Sequence, residues 1–303
     1  MVYLPIANIE VNPFLVIGIG LIVGFLAGLF GVGGGFLMTP LLNLVVGIPM
    51  NVAVGSDLNQ IVATASSGAY AHRKLGNVDV KLAGFILAGS ILGTQVGVRI
   101  MEILKAKGMS DLVIKEIYVV MLGIISAMML IDSIKAIRKG KHREEKEKGG
   151  REKIDTGLGP RLQKIKFMSV HLENADVTIP FFVPPLLGFG VGVLAAIMGV
   201  GGGFIMVPAL IYILGIPTVV CVGTDLFQMV FTAAAGTIAH ALHGNVDFYL
   251  VLMILTGSTI GAQLGARATK KVGGVGLRLL FGLLVFIVML RLLVNLLKMT
   301  GHL

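Results

Sequence analysis

Thiols, charge and catalytic signatures are all scarce in this sequence. Cys221 is its single cysteine, which excludes an internal disulfide and any site built from several thiolates. Charged residues make up 14% of the chain, well below the quarter or so of an ordinary soluble domain. No Lys or Arg precedes Arg73, so there is no basic n-region and no cleaved leader is expected. Neither glycine cluster is followed by Lys-Ser or Lys-Thr, as a phosphate loop would require. No nucleophile elbow, HExxH pair or cofactor fingerprint occurs, so no catalytic residue, metal or cofactor is expected, nor direct drive by ATP.

Apolar sequence fills the space instead. Hydrophobic residues make up 55% of the chain and mean hydropathy is +0.92. Apolar runs recur at 14–46, 52–71, 80–100, 114–134, 181–214, 219–242, 248–266 and 276–297. A helix needs about 20 such residues to cross ~30 Å of hydrocarbon, and eight runs are too many for buried core helices. The sequence therefore specifies an all-α polytopic membrane protein. Its net charge of +9 follows from the basic loops that flank membrane spans. The basic clusters at 135–166 and after 267 lack interleaved aromatics, so nucleic acid is not an expected partner; the lipid bilayer is.

The chain contains the same unit twice. Residues 24–99 match 192–267 at a constant offset without a gap. GVGGGF at 31–36 recurs at 199–204, Pro40 as Pro208, and GIP at 47–49 as 215–217. VGSDLNQ (54–60) becomes VGTDLFQ (222–228), His72 pairs with His240, and GNVD (76–79) recurs at 244–247. Finally, GSILGTQVGVR (89–99) corresponds to GSTIGAQLGAR (257–267). Drift in apolar composition would not keep polar and glycine positions in register over this length. The expected units are a first membrane repeat at 13–138, a charged cytoplasmic linker with an interfacial segment at 139–180, and a second repeat at 181–298.

The first run of each repeat is too long for a simple span: about 34 helical residues would reach ~51 Å. It is also interrupted by glycines, which disfavour a continuous helix. A broken or re-entrant hairpin followed by three transmembrane helices fits better, and that odd number of crossings inverts the second repeat. Loop charges agree. With the linker in the cytoplasm, Arg73, Lys74 and Lys81 are cytoplasmic too, and inversion places the basic RATKKVGGVGLR segment on the same side.

In such a hairpin the second half-helix offers unpaired N–H groups and the positive end of its dipole at the break. Two breaks approaching the midplane from opposite sides make an anion site without buried Lys or Arg. The candidate substrate-binding residues are therefore Gly31, Gly33, Gly34 and Gly35 with Gly199, Gly201, Gly202 and Gly203. The other reading of these glycines is tight helix packing. Asp57, Gln60 and Thr64 share one helical face, repeated by Asp225, Gln228 and Thr232. Gln60 and Gln228 are candidate ligands for an anion. Asp57 and Asp225, with Thr64 and Thr232, are either pathway-lining gates or, through Ser56–Asp57 and Thr224–Asp225, helix-start caps.

His72 and His240 are candidates for proton coupling or loop anchors. Asn77 and Asp79, with Asn245 and Asp247, read as turn and cap residues. Arg99 and Arg267 either snorkel to headgroups or screen an anion's access path. Gly89-Gly93-Gly97 and Gly257-Gly261-Gly265 read as helix contacts, as do Gly20-Gly24-Gly28 and Gly188-Gly192.

The block GLFGVGGGFLMTPLL, its partner AAIMGVGGGFIMVPAL, the following GIP and VGSD/VGTD segments and the GNVD turns resemble the TauE/SafE family of sulfite and organosulfonate exporters. The second copy departs from the pattern only at flanking small residues. The resemblance spans nearly the whole chain apart from the linker and the first dozen residues. It implies a permease of the cytoplasmic membrane whose partner is a small anion, sulfite or a sulfonate. The alternatives are a permease for another oxyanion or carboxylate, and a non-transporting membrane scaffold or assembly factor on the same fold. A scaffold has no need of paired glycine breaks and paired polar faces.

Overall fold

The computed structural model describes residues 1–30, 35–138, 169–172, 174, 177–268 and 274–299. Gly31, Gly33, Gly34 and most of the mixed-charge linker lie outside them. In chain order the elements are β1 (Val2–Leu4), β2 (Ile9–Val11), α1 (Pro13–Phe30), α2 (Gly35–Leu41) with a π-helical extension (Leu42–Val46), α3 (Met50–Lys74), α4 (Val80–Ala106) and α5 (Ser110–Arg138). They continue as β3 (Ser169–Leu172), β4 (Val177–Pro180), α6 (Val183–Met198), α7 (Gly203–Leu214), α8 (Thr218–Leu242), α9 (Phe248–Ala268) and α10 (Gly274–Met299). Among the described residues the protein is all-helical apart from two short hairpins. Among the described residues five helices are long and apolar enough to cross a membrane, and shorter apolar helices cover 13–27, 35–46 and 183–198.

The repeated motifs are the punctuation of these helices. The glycine of each GIP, Gly47 or Gly215, closes the preceding helix at positive φ (82° and 71°), where glycine bears no Cβ penalty. Pro49 and Pro217 then precede α3 and α8. Within GNVD, Gly76 and Gly244 end helices at positive φ. Asp79 caps α4 by accepting from the Leu82 N–H at 3.0 Å, and Asp247 accepts from the N–H groups of Tyr249 and Leu250.

The sequence segment 167–180 was expected to be interfacial; its described part is an antiparallel hairpin, β3–β4. The same offset that relates the repeats superposes it on β1–β2, so the duplicated unit extends in front of residues 13 and 181. Each hairpin reaches the other repeat's GNVD turn. Ile6 donates its N–H to Asp247 at 2.9 Å, and its equivalent Asn174 donates to Asp79 at 3.3 Å.

Close glycine contacts fix how the helices run. Along α1 and α9, Gly20 meets Ile254 and Gly257, Gly24 meets Ser258, and Gly261 meets Leu21 and Phe25, so the two helices are parallel. Along α4 and α6, Gly89 meets Pro185, Gly93 meets Phe189 and Gly97 meets Val193, again parallel. The first helix of each repeat thus packs against the other repeat's fourth. By contrast, α3 and α8 are antiparallel: Gly55 faces His240 and Asn245, Gly68 faces Leu226, and Gly223 faces His72 and Asn77. α5 and α10 are antiparallel as well, since Lys115 bonds Asn295 while Met129 and Leu130 meet Gly282. α3 and α8 are equivalent helices, and so are α5 and α10. Antiparallel equivalents require a twofold axis across the helices.

Candidate functional site

The two broken helices converge on that axis. α2 folds back, because its π-helical extension touches α1; a straight continuation would carry those residues roughly 18 Å beyond it. Phe36 and Phe204, the equivalent aromatics that follow each glycine cluster, lie 5.8 Å apart between ring centroids. A Cβ on Gly35 would stand 3.0 Å from the Gly199 carbonyl oxygen and 2.5 Å from Ile61 Cδ1. Gly199, Gly201 and Gly202 all have positive φ (72°, 63° and 84°). A Cβ on Gly199 would reach 2.8 Å from Val54 Cα and 3.2 Å from Thr39 Oγ1. These glycines therefore set both the turn and the approach of one repeat's break to the other's second helix.

Each aspartate lies against the broken helix that precedes its own, and in the first repeat a hydrogen bond joins the two. Thr39 in α2 donates to Asp57 Oδ2 at 3.0 Å. Asp225 Oδ2 would lie 2.7 Å from a Cβ on Gly203, the first residue of α7. Helix-start capping by these aspartates is ruled out: α3 begins at Met50 and α8 at Thr218 with no side-chain cap. Asp57 therefore sits seven residues into α3, roughly 10 Å by helical rise.

Ser56 and Thr224 serve the opposite repeat. Ser56 Oγ accepts from the Asp247 N–H, and Thr224 Oγ1 from the Asp79 N–H, each at 3.0 Å. Around Asn245 the inter-repeat bonding is denser. Asn51 Nδ2 and Lys105 Nζ donate to its Oδ1 at 2.9 and 2.7 Å, and its Nδ2 donates to Glu102 Oε1 at 2.6 Å.

The two polar faces differ. In the second repeat, Thr232 donates to Gln228 Oε1 (2.8 Å) and Gln228 Nε2 donates to Asp225 Oδ1 (2.9 Å). In the first, Thr64 turns back to the Gln60 and Ile61 carbonyls. That leaves Asp57 Oδ1 and both amide atoms of Gln60 buried with no hydrogen-bond partner among the described residues. Such groups are costly unless something satisfies them.

The remaining candidates are dispersed. His240 is buried and its Nε2 lies 3.0 Å from the Ala196 carbonyl oxygen, which anchors the end of α6 ahead of the break. His72 is only half-buried. Arg99 is exposed on α4; the side chain of Arg267 lies outside the described residues. Tyr118 was not singled out from the sequence, because the matched repeat stops before it. It is buried in α5 and its hydroxyl donates to the Met198 carbonyl, next to Gly199.

Comparison with known proteins finds a matching family and relatives named as membrane transporters. The sequence pattern of the family described as "Sulfite exporter TauE/SafE" matches residues 16–292. The "Probable membrane transporter protein YunE" of Bacillus subtilis is 27% identical over 266 residues, covering 85% of this chain and 88% of its own length. "Probable membrane transporter protein YjnA" of the same organism is 28% identical, covering 84% and 90%. A probable membrane transporter protein of Methanocaldococcus jannaschii is 24% identical, covering 88% and 90%. No solved structure matches the chain.

Proposed function

This chain belongs to the sulfite exporter TauE/SafE family, and on that premise we propose that it is a membrane transporter that exports a small oxyanion, sulfite or an organosulfonate, across the cytoplasmic membrane. The observation that carries the reading is the convergence on the twofold of the helices that follow the two glycine clusters, with Phe36 against Phe204. Beside it, Asp57 Oδ1 and the Gln60 amide are buried without hydrogen-bond partners among the described residues. A helix beginning at Gly203 supplies N–H groups to an anion, and glycine lets a ligand reach the backbone. Gln60 adds an amide donor, whereas the aspartates hold the broken helices in place.

Antiparallel equivalent helices suit alternating access. Rocking one repeat against the other opens a midplane site first to one face of the membrane and then to the other. The cytoplasmic side is the one that carries Arg73, Lys74, Lys81 and the basic linker. The test is efflux of radiolabelled sulfite from liposomes containing the purified protein, with thiosulfate, sulfolactate and sulfate as competitors. Efflux above that of protein-free liposomes, slowed by a competitor, is expected. No movement of any of these anions, with or without a pH gradient, would overturn the proposal.

A further inference from the structure

α3 and α8 are copies of one helix with the same length, yet they are exposed differently. On α3 the residues Gln60, Thr64, Ser67 and Ala71 follow at spacings of four, three and four, so they form one stripe along the helix. Gln60 is fully buried, Thr64 half-buried, and Ser67 and Ala71 are exposed. The equivalent stripe on α8 is Gln228, Thr232, Ala235 and Ala239. There Gln228 and Thr232 are buried, Ala235 is half-buried, and Ala239 is buried against Val98 and Ala196.

A stripe facing lipid would be apolar. This one carries two hydroxyls and ends near His72, Arg73 and Lys74 in the last turn of α3. α8 is apolar enough to count as a span, whereas α3 is not among the helices that do. At the inner end of the α3 stripe lies the amide whose two polar atoms have no partner among the described residues. At the same place on α8 both amide atoms are engaged by Asp225 and Thr232.

We infer that the two halves are functionally unequal: the anion approaches along α3, from the basic end past Ala71, Ser67 and Thr64, and is bound by the Gln60 amide, while the α8 stripe is sealed and its Gln228 is a positioning residue for Asp225. This rests on the transporter reading for the identity of the solute, but not for the existence of a water-filled approach. The basic turn attracts anions to the mouth. The Gln60 Nε2 donates to the oxyanion, and Thr64, released from the backbone carbonyls, is the next polar group outward.

The test uses full-length protein in which Cys221 is replaced by Ala, carrying Ser67→Cys, Ala71→Cys, Ala235→Cys or Ala239→Cys. Each is labelled with a charged, membrane-impermeant maleimide in both inside-out and right-side-out membrane vesicles, so that each stripe is tested from its own face. Ser67→Cys and Ala71→Cys should react about tenfold faster than the α8 pair, because thiol reactivity follows access to water. Equal labelling of both stripes, or no labelling at 67 and 71, would overturn the inference even in a protein that moves no anion. A flux measurement separates the two glutamines. Gln60→Ala should raise the half-saturating sulfite concentration about tenfold, the weight of one hydrogen bond to a charged group, with thermal stability unchanged. Gln228→Ala should lower the melting temperature, since two buried partners lose their bonds. The reverse pattern would refute the assignment.

Discussion

Replacing Gly89 by alanine tests whether the small-residue stripes hold the repeats together. A Cβ at this position in α4 would lie 1.8 Å from the Pro185 carbonyl oxygen, and one at Gly93 would lie 2.1 Å from that of Phe189. Both obstacles are backbone, so no side-chain rotation relieves the clash. To restore ordinary contact, α4 and α6 would have to separate by roughly 1.5 Å, and overpacking of this kind costs about 1–3 kcal/mol. Gly84, five residues earlier in the same helix, is the internal control, for a Cβ there meets nothing within 4 Å. Alanine at 84 should be neutral or stabilise by up to ~1 kcal/mol through helix propensity. The assay is thermal unfolding in detergent, followed by the loss of the monodisperse peak on size exclusion. Gly89→Ala and Gly93→Ala should melt lower than wild type and Gly84→Ala should not. Equal melting temperatures at 84 and 89 would refute close backbone packing of α4 on α6.

Other predictions follow from the inter-repeat bonds. Ser56→Ala strips the Asp247 N–H of its acceptor and should cost about 1–3 kcal/mol, the penalty for a buried unsatisfied donor, read as a lower melting temperature. Asn245→Ala should destabilise more than Asn77→Ala, because Asn51, Lys105 and Glu102 all lose a partner; equal effects would argue against the cluster. Tyr118→Phe removes the bond to the Met198 carbonyl beside the break. It should cost about 1 kcal/mol and slow sulfite flux at matched protein content, while an unchanged rate would detach Tyr118 from the site.

Much of this architecture is legible in the sequence because the duplication preserves the residues that terminate helices. The GNVD turn, with Asp79 as its cap, can be read from type and spacing alone, since capping is local. The partners of Ser56 and Thr224 cannot, because they lie in the opposite repeat and only the inverted packing brings them near. Asp57 illustrates the same limit: placed beside Ser it resembles a helix start, yet Pro49 opens the helix earlier and Thr39 claims the carboxylate. The hairpins at 2–11 and 169–180 left a readable signal in the parallel between VYL and VHL. It is short, and it precedes the glycine-rich match that draws the eye. The inequality of the two polar faces had a trace too, since Thr39 corresponds to Val207. Burial along each stripe, however, depends on what covers it, which sequence comparison of the halves does not reveal.

The central claim is that the glycine breaks shape a site for an anion rather than merely permitting close packing. The most direct measurement is the initial rate of labelled sulfite flux for Gly202→Ala beside wild type and Gly190→Ala, at matched reconstituted protein. Gly202 has φ 84°, where alanine is disfavoured by about 1–2 kcal/mol, and its side chain would meet Val191 Cγ1 at 2.5 Å. Gly190 has nothing within 4 Å of its Cβ position. The account predicts that Gly202→Ala loses most of its flux while remaining monodisperse, with Gly190→Ala transporting like wild type. Full flux through Gly202→Ala would contradict it.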